Sequence, residues 1–244
     1  MQLGIVVWPS WEVAHRKMWI WEKSIERFGY QFEYYGVGTK IWPGYRKQKV
    51  ESQLEWLLKH GTRGATHIHY TDCCDCLMLG PPEEFEAKYK TMGCPPMIVQ
   101  SSAQLGNVFD DRYSFFETEE HKKLGRFRYP CVGGYVMEAK LLIEFLQKMN
   151  REYPADKWGD DCFVWYEGFQ QGWFRPEIDS KCKLWQVCNE ENMEVIDLVK
   201  GYKRLLNKET DSLPVIWHNS GGSANQDTFK DHMMIPMAKK LGII

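Results

Sequence analysis

The sequence predicts an α/β fold: one domain, with a mixed, mostly parallel sheet flanked by helices. Three observations predict it. The apolar run at 3–8 has the unbroken character of a strand buried on both faces. Segments of helical period alternate with such runs through the first half of the chain. A chain of 244 residues, 43% hydrophobic and 26% charged, has the composition of a folded domain, at a length one domain can reach.

The elements follow in order. Residues 3–8 (LGIVVW) read as the first strand, broken by Pro9. Ser10 can cap a helix from Trp11 to about Phe28, which Gly29 ends. Residues 30–35 read as a second strand, and Gly36, Gly38 and Trp42-Pro43-Gly44 as a loop. A helix is expected from about Lys47 to His60, with Val50, Leu54, Leu57 and Leu58 on its apolar side. Residues 66–71 form a third strand and stop at Asp72-Cys73-Cys74-Asp75. A short helix at 82–92 and a strand at 97–101 continue the alternation. Residues 103–130 show no clear period, and 131–137 read as a strand containing a glycine pair. Residues 138–149 form an amphipathic helix, and Asp160-Asp161 opens another through about Gln170. Strands are expected near 182–187 and at 214–217, and a last helix at about 228–240.

Composition narrows the function classes. A net charge of −2 argues against nucleic-acid binding through bulk charge. No stretch approaches a membrane span, and the N-terminal residues lack the basic start of a signal peptide. The expectation is a soluble, cytoplasmic protein whose eight cysteines are thiols, mostly small buried fillers. The cluster Cys73, Cys74, Cys76 invites a zinc reading. Adjacent cysteines fit one tetrahedral ion poorly, however, and no C-x-x-C pair exists elsewhere, so packing is the preferred account.

The chemistry-bearing residues sit after strands, where ligands of open α/β sheets bind. Asp72 and Asp75 directly follow a strand, and two such carboxylates suit a hard divalent cation; equally, they can cap a turn and face water. His218 ends the strand at 214–217 and can serve as a further ligand or as a structural histidine. Gly221 and Gly222 after it would let backbone amides approach a phosphate. Asp160 and Asp161 fit a helix dipole, or can act as base or sugar-binding groups. Gly133 and Gly134 inside a strand mark close approach of a ligand.

Taken in order, these segments resemble a glycosyltransferase of the GT-A fold. They are most similar to the glycosyltransferase domain of collagen lysyl hydroxylases and the related procollagen galactosyltransferase-like family. The resemblance lies in His69-Tyr70-Thr71-Asp72-Cys73-Cys74-Asp75 as a strand with D-x-x-D, and in Gly36-Val37-Gly38 with Gln48-Lys49-Val50. It continues through Cys131-Val132-Gly133-Gly134-Tyr135-Val136-Met137, Asp160-Asp161-Cys162-Phe163 and Pro214-Val215-Ile216-Trp217-His218-Asn219-Ser220-Gly221. Cys131-Val132 stand where the family has Asn-Ser, and Ala224 where it often has Lys.

The resemblance implies a single GT-A-like, Rossmann-like domain, with a nucleotide-binding half at 1–102 and an acceptor half at 103–244. It implies Asp72, Asp75 and His218 as ligands of Mn²⁺ (or Mg²⁺), and Gly221 and Gly222 at the diphosphate. Val7, Trp8, Gly38 and Lys49 would hold the uridine of a UDP-sugar, with Gly133 and Gly134 also in the cofactor-binding set. Asp160 and Asp161 would face the transferred hexose or the hydroxyl of a protein or glycan acceptor. A silent binding protein on the same fold and a nucleotidyltransferase are the competing readings. The tryptophan and tyrosine excess fits a sugar-nucleotide cleft, with most aromatics in the core.

Overall fold

In the computed structural model, residues 11–33, 45–62, 64–72, 75–103, 116–153, 161–187, 192–198, 202–219 and 234–244 are described. The expected strand at 3–8 lies outside them, and residues 30–33 form no strand. The first sheet has the order β1 (His67–Thr71), β4 (Tyr129–Glu138), β3 (Met97–Ser102), β5 (Glu177–Ile178). A second has the order β2 (Cys76–Met78), β9 (Ile216–His218), β6 (Trp185–Val187), and β7 (Met193–Asp197) pairs with β8 (Lys203–Asn207).

The mixed α/β class is as the sequence predicts, but the strand directions differ. Among the described residues β4 is antiparallel to both β1 and β3, and β2 to β9; β3–β5 and β6–β9 are the parallel pairs. The reason is physical. An unbroken apolar run reports burial on two faces, and β4 is covered on both faces while pairing antiparallel.

Each face of the first sheet has its own cluster, and a one-turn helix, α4, spans Glu119–Lys122 before β4. Ile68, Tyr70, Val99, Tyr135 and Met137 point to α2 (Tyr45–His60), α5 (Ala139–Glu152) and α6 (Asp161–Gln170). Ile98 and Val136 point the other way, to Trp21 of α1 (Trp11–Phe28), Phe85 of α3 (Pro82–Thr91), and Cys76, Trp185 and Ile216. Leu77 and Trp217 face a third cluster with Met234 and Leu241 near the end of the chain, where 234–240 is helical.

Local sequence explains the helices. Leu142, Phe145, Leu146 and Met149 of α5 recur at one-turn spacing and are all buried. In α2 the buried stripe is Val50, Gln53, Leu54 and Leu57; Leu58 is 59% exposed, because it lies a further 100° or so round the helix. Gly29, at φ 72°, ends α1 in the left-handed conformation its sequence predicts. A buried carboxylate sets the start of β6. Asp179 accepts the backbone N–H groups of Lys183, Leu184 and Trp185, at 2.8 to 3.0 Å. Burial, against those three donors, pushes its pKa up to about 6.

Candidate functional site

Strand β1 ends at Thr71, and Asp72 follows it with its backbone N–H donating to the Gly133 carbonyl, 2.8 Å. That bond draws the carboxylate to the middle of β4. The Tyr70 hydroxyl donates to Asp72 Oδ1, fixing its rotamer. Asp75 stands just before β2, and its carbonyl accepts the Asn219 N–H at 2.7 Å, so the loop is tied to the end of β9.

His218 is the last residue of β9 and is buried. Its Nε2 is 3.7 Å from Asp75 Oδ1, and its Nδ1 is 2.6 Å from Gln100 Nε2 on β3. Gln100 Nε2 donates to Cys131 Sγ, at 3.0 Å. Burial opposes a charge on His218. The neighbouring Asp75 carboxylate outweighs it, with Cys131 adding, and the imidazole pKa rises to about 10. A field that holds a proton there also favours a metal cation.

Gly133 shapes the centre of the site. A Cβ on it would lie 2.8 Å from Asp72 Oδ2, 3.0 Å from His218 Nδ1 and closer still to His218 Cε1. Only glycine leaves room for both side chains to converge there. The next residue, Gly134, does the same for its own neighbours: a Cβ on it would lie 2.8 Å from both Gln100 Oε1 and Trp185 Nε1. Asp72 and His218 thus meet at Gly133, Asp75 lies by the other ring nitrogen of His218, and Gly134 faces Gln100 and Trp185.

The remaining residues singled out by sequence do not join them in the described structure. Val7, Trp8, Gly38, Asp160, Gly221 and Gly222 lie outside the described residues. Lys49 lies in α2 and Asp161 opens α6, and the described structure extends to neither side chain. Sequence reasoning set Cys76 aside as packing and missed Gln100. Ligand atoms of Asp75, Cys76 and His218 lie within 4.8 Å of one another. The available signal was position. Cys76 is the first residue after the acidic turn, and it pairs directly with His218 across β2–β9. Gln100 is the first polar residue of β3, after the apolar Met97-Ile98-Val99.

The donor types suit a divalent cation. Among the described residues the ligand atoms within 4.8 Å of one another are those of Asp75, Cys76 and His218; Asp72 stands outside that group, by the His218 ring at Gly133. Among the described residues no helix is long and apolar enough to cross a membrane.

Comparison with known proteins follows the same direction. No family model matches the chain. It is 25% identical over 179 residues to mouse (Mus musculus) procollagen-lysine,2-oxoglutarate 5-dioxygenase 2; the match takes in 71% of this chain and 23% of that protein. The chain therefore spans about a quarter of that curated relative's length. Among solved structures it is similar to a glycosyltransferase involved in the glycosylation of the major capsid of PBCV-1, at a TM-score of 0.54 and 12% identity. That match covers 96% of this chain and all of the other. The fold is that of a glycosyltransferase, GT-A-like, in a mixed α/β arrangement.

Proposed function

We propose that the chain is a metal-dependent glycosyltransferase that moves a hexose from a UDP-sugar to a hydroxyl of a protein or glycan acceptor. The observation that carries this is the placing of His218 between Asp72, which it meets at Gly133, and Asp75, 3.7 Å from its Nε2, on a glycosyltransferase fold. The match to a procollagen-lysine hydroxylase supports it, because the chain's motifs resemble the glycosyltransferase domain of that family. In this reading residues 1–102 form the nucleotide half and 103–244 the acceptor half, with His218 returning to the nucleotide side.

Mn²⁺ or Mg²⁺, when bound, supplies Lewis-acid neutralisation of the departing diphosphate. Asp72, Asp75 and His218 would hold it. Tyr70 orients Asp72, Gln100 orients the His218 ring, and Gly133 leaves the approach clear. Backbone amides at Gly221 and Gly222 stabilise the same leaving group. Val7, Trp8, Gly38 and Lys49 hold the uridine. Asp160 and Asp161 orient the acceptor hydroxyl or take its proton.

The test is thermal and catalytic. UDP with Mn²⁺ is expected to raise the melting temperature by mass action, and neither alone as much. Asp75→Asn is expected to weaken Mn²⁺ binding at least about 10-fold and to abolish release of UDP from a UDP-sugar. Unchanged Mn²⁺ affinity and turnover in that variant would refute the assignment. Nucleotide binding without hydrolysis of any UDP- or GDP-sugar would point to a silent binding protein. Pyrophosphate release from a nucleoside triphosphate and a sugar phosphate would identify a nucleotidyltransferase.

A further inference from the structure

We propose that the same cleft contains an overlapping site for a thiophilic divalent ion, Zn²⁺ above all, built from Cys76, His218 and Asp75. The three ligand atoms lie within 4.8 Å of one another, close enough for one ion. The geometry is built into the backbone. Cys76 and His218 are direct partners in the antiparallel β2–β9 ladder, so their side chains leave the same face. Asp75 precedes Cys76, and its carbonyl is bound to the Asn219 N–H just beyond His218, which locks the two strand ends together. The Thr71 hydroxyl lies 3.3 Å from Cys76 Sγ.

Sulfur, nitrogen and oxygen together make a softer donor set than carboxylates. Mg²⁺ and Mn²⁺ prefer carboxylate, carbonyl and water oxygens, whereas Zn²⁺ takes mixed Cys, His and carboxylate ligands. Zn²⁺ binding replaces the Cys76 thiol proton, which leaves to solvent. Asp75 and His218 serve both ions, so the two cannot be held at once. Occupation by Zn²⁺ excludes the hard cation and stops transfer. That consequence rests on the glycosyltransferase reading; the site itself rests on the ligand geometry.

The experiment uses the whole chain, stripped with a chelator. X-ray absorption of its Zn²⁺ complex is expected to show sulfur at about 2.3 Å together with histidine nitrogen. Its Co²⁺ complex is expected to show a sulfur-to-metal charge-transfer band that persists in Cys131→Ser and disappears in Cys76→Ser. Cys76→Ser is expected to lose at least about 10-fold in Zn²⁺ affinity, and to lose more for Zn²⁺ than for Mn²⁺. A zinc shell without sulfur, or a band that survives Cys76→Ser, overturns the proposal. If Cys76→Ser fails to fold, the wild-type shell decides: sulfur with histidine nitrogen supports the site, and any other shell overturns it. Mn²⁺ binding, followed by electron paramagnetic resonance, separates the two readings. Mn²⁺ binding beside a sulfur-free zinc shell overturns only this inference. A sulfur-bound Zn²⁺ with no Mn²⁺ binding supports it and overturns the hard-cation reading.

Discussion

At the scale of single residues, Gly133 makes the sharpest prediction. Gly133→Ala places a methyl group against the Asp72 carboxylate and the His218 ring, so one or both must turn away. The expected result is a loss of Mn²⁺ affinity of at least about 10-fold, with a stability cost of about 1–3 kcal/mol. Calorimetric titration and urea denaturation read the two effects separately. His69 makes a second prediction. It is fully buried, its ring stacks on Phe85 with centroids 4.2 Å apart, and among the described residues neither ring nitrogen has a hydrogen-bond partner. Burial lowers its pKa from 6.5 to about 3. Between those values the unfolded chain takes up a proton that the folded chain refuses. Its contribution is therefore complete above pH 6.5 and is lost as the pH falls toward about 3. His69→Phe is expected to shrink the difference between urea midpoints measured at about pH 7 and about pH 5. An equal difference in the variant would show that other groups carry the acid sensitivity. Both residues were within the sequence's motifs, yet their roles were unequally legible. A glycine pair in a strand announces close approach, whereas nothing in His69 itself says that its partners are aromatic rings.

At the scale of elements, the β7–β8 hairpin is held by one buried guanidinium. Arg204 of β8 is 5% exposed and donates to both Glu84 oxygens on α3, at 2.6 and 2.9 Å, and to the Pro214 carbonyl at 2.9 Å. It therefore joins the hairpin to α3 and to the segment leading into β9. Burial resists a charge on Glu84, but Arg204 and Lys88 outweigh it and hold its pKa below the usual value. Glu84→Ala is expected to cost about 3–5 kcal/mol, because it leaves a nearly buried cation unpaired, and the double change with Arg204→Met to cost less. A double-mutant cycle by urea denaturation measures this, and a single-variant cost below about 1 kcal/mol would contradict it. The hairpin was invisible in sequence for a related reason. Met193–Asp197 is half exposed, and Lys203–Asn207 buries polar side chains, Arg204 and Asn207, beside Leu205, so no clean two-residue alternation marks them. Strands β2 and β5 are two or three residues long, and their pairing depends on distant partners. The helices were legible because spacing such as that of Leu142, Phe145, Leu146 and Met149 is local information.

At the scale of the whole molecule, the first sheet is enclosed between two apolar clusters that share β3 and β4. Val99 and Tyr135 belong to one, Ile98 and Val136 to the other. Neither cluster can dissolve while the other keeps these strands in place. Unfolding is therefore expected to be cooperative, with coincident midpoints by tryptophan fluorescence and far-ultraviolet circular dichroism. Trp165 reports on one cluster, and Trp21 and Trp185 on the other, so separate midpoints would reveal independent units. The order of strands and helices was legible at this scale, and strand direction was not. Composition cannot distinguish parallel from antiparallel once both faces are covered. The acidic turn and His218 were legible as strand-end residues, but their convergence depends on the pairing of β2 with β9, which no local pattern encodes.

That pairing has a further meaning. Side chains alternate along a strand, so a slip of one residue between β2 and β9 would turn His218 away from the cleft and present the Trp217 indole in its place. A frame error in this ladder would leave much of the backbone bonding intact and erase the chemistry. The apolar side chains Leu77 and Trp217, buried in the third cluster, are thus proofreaders of the site on the opposite face.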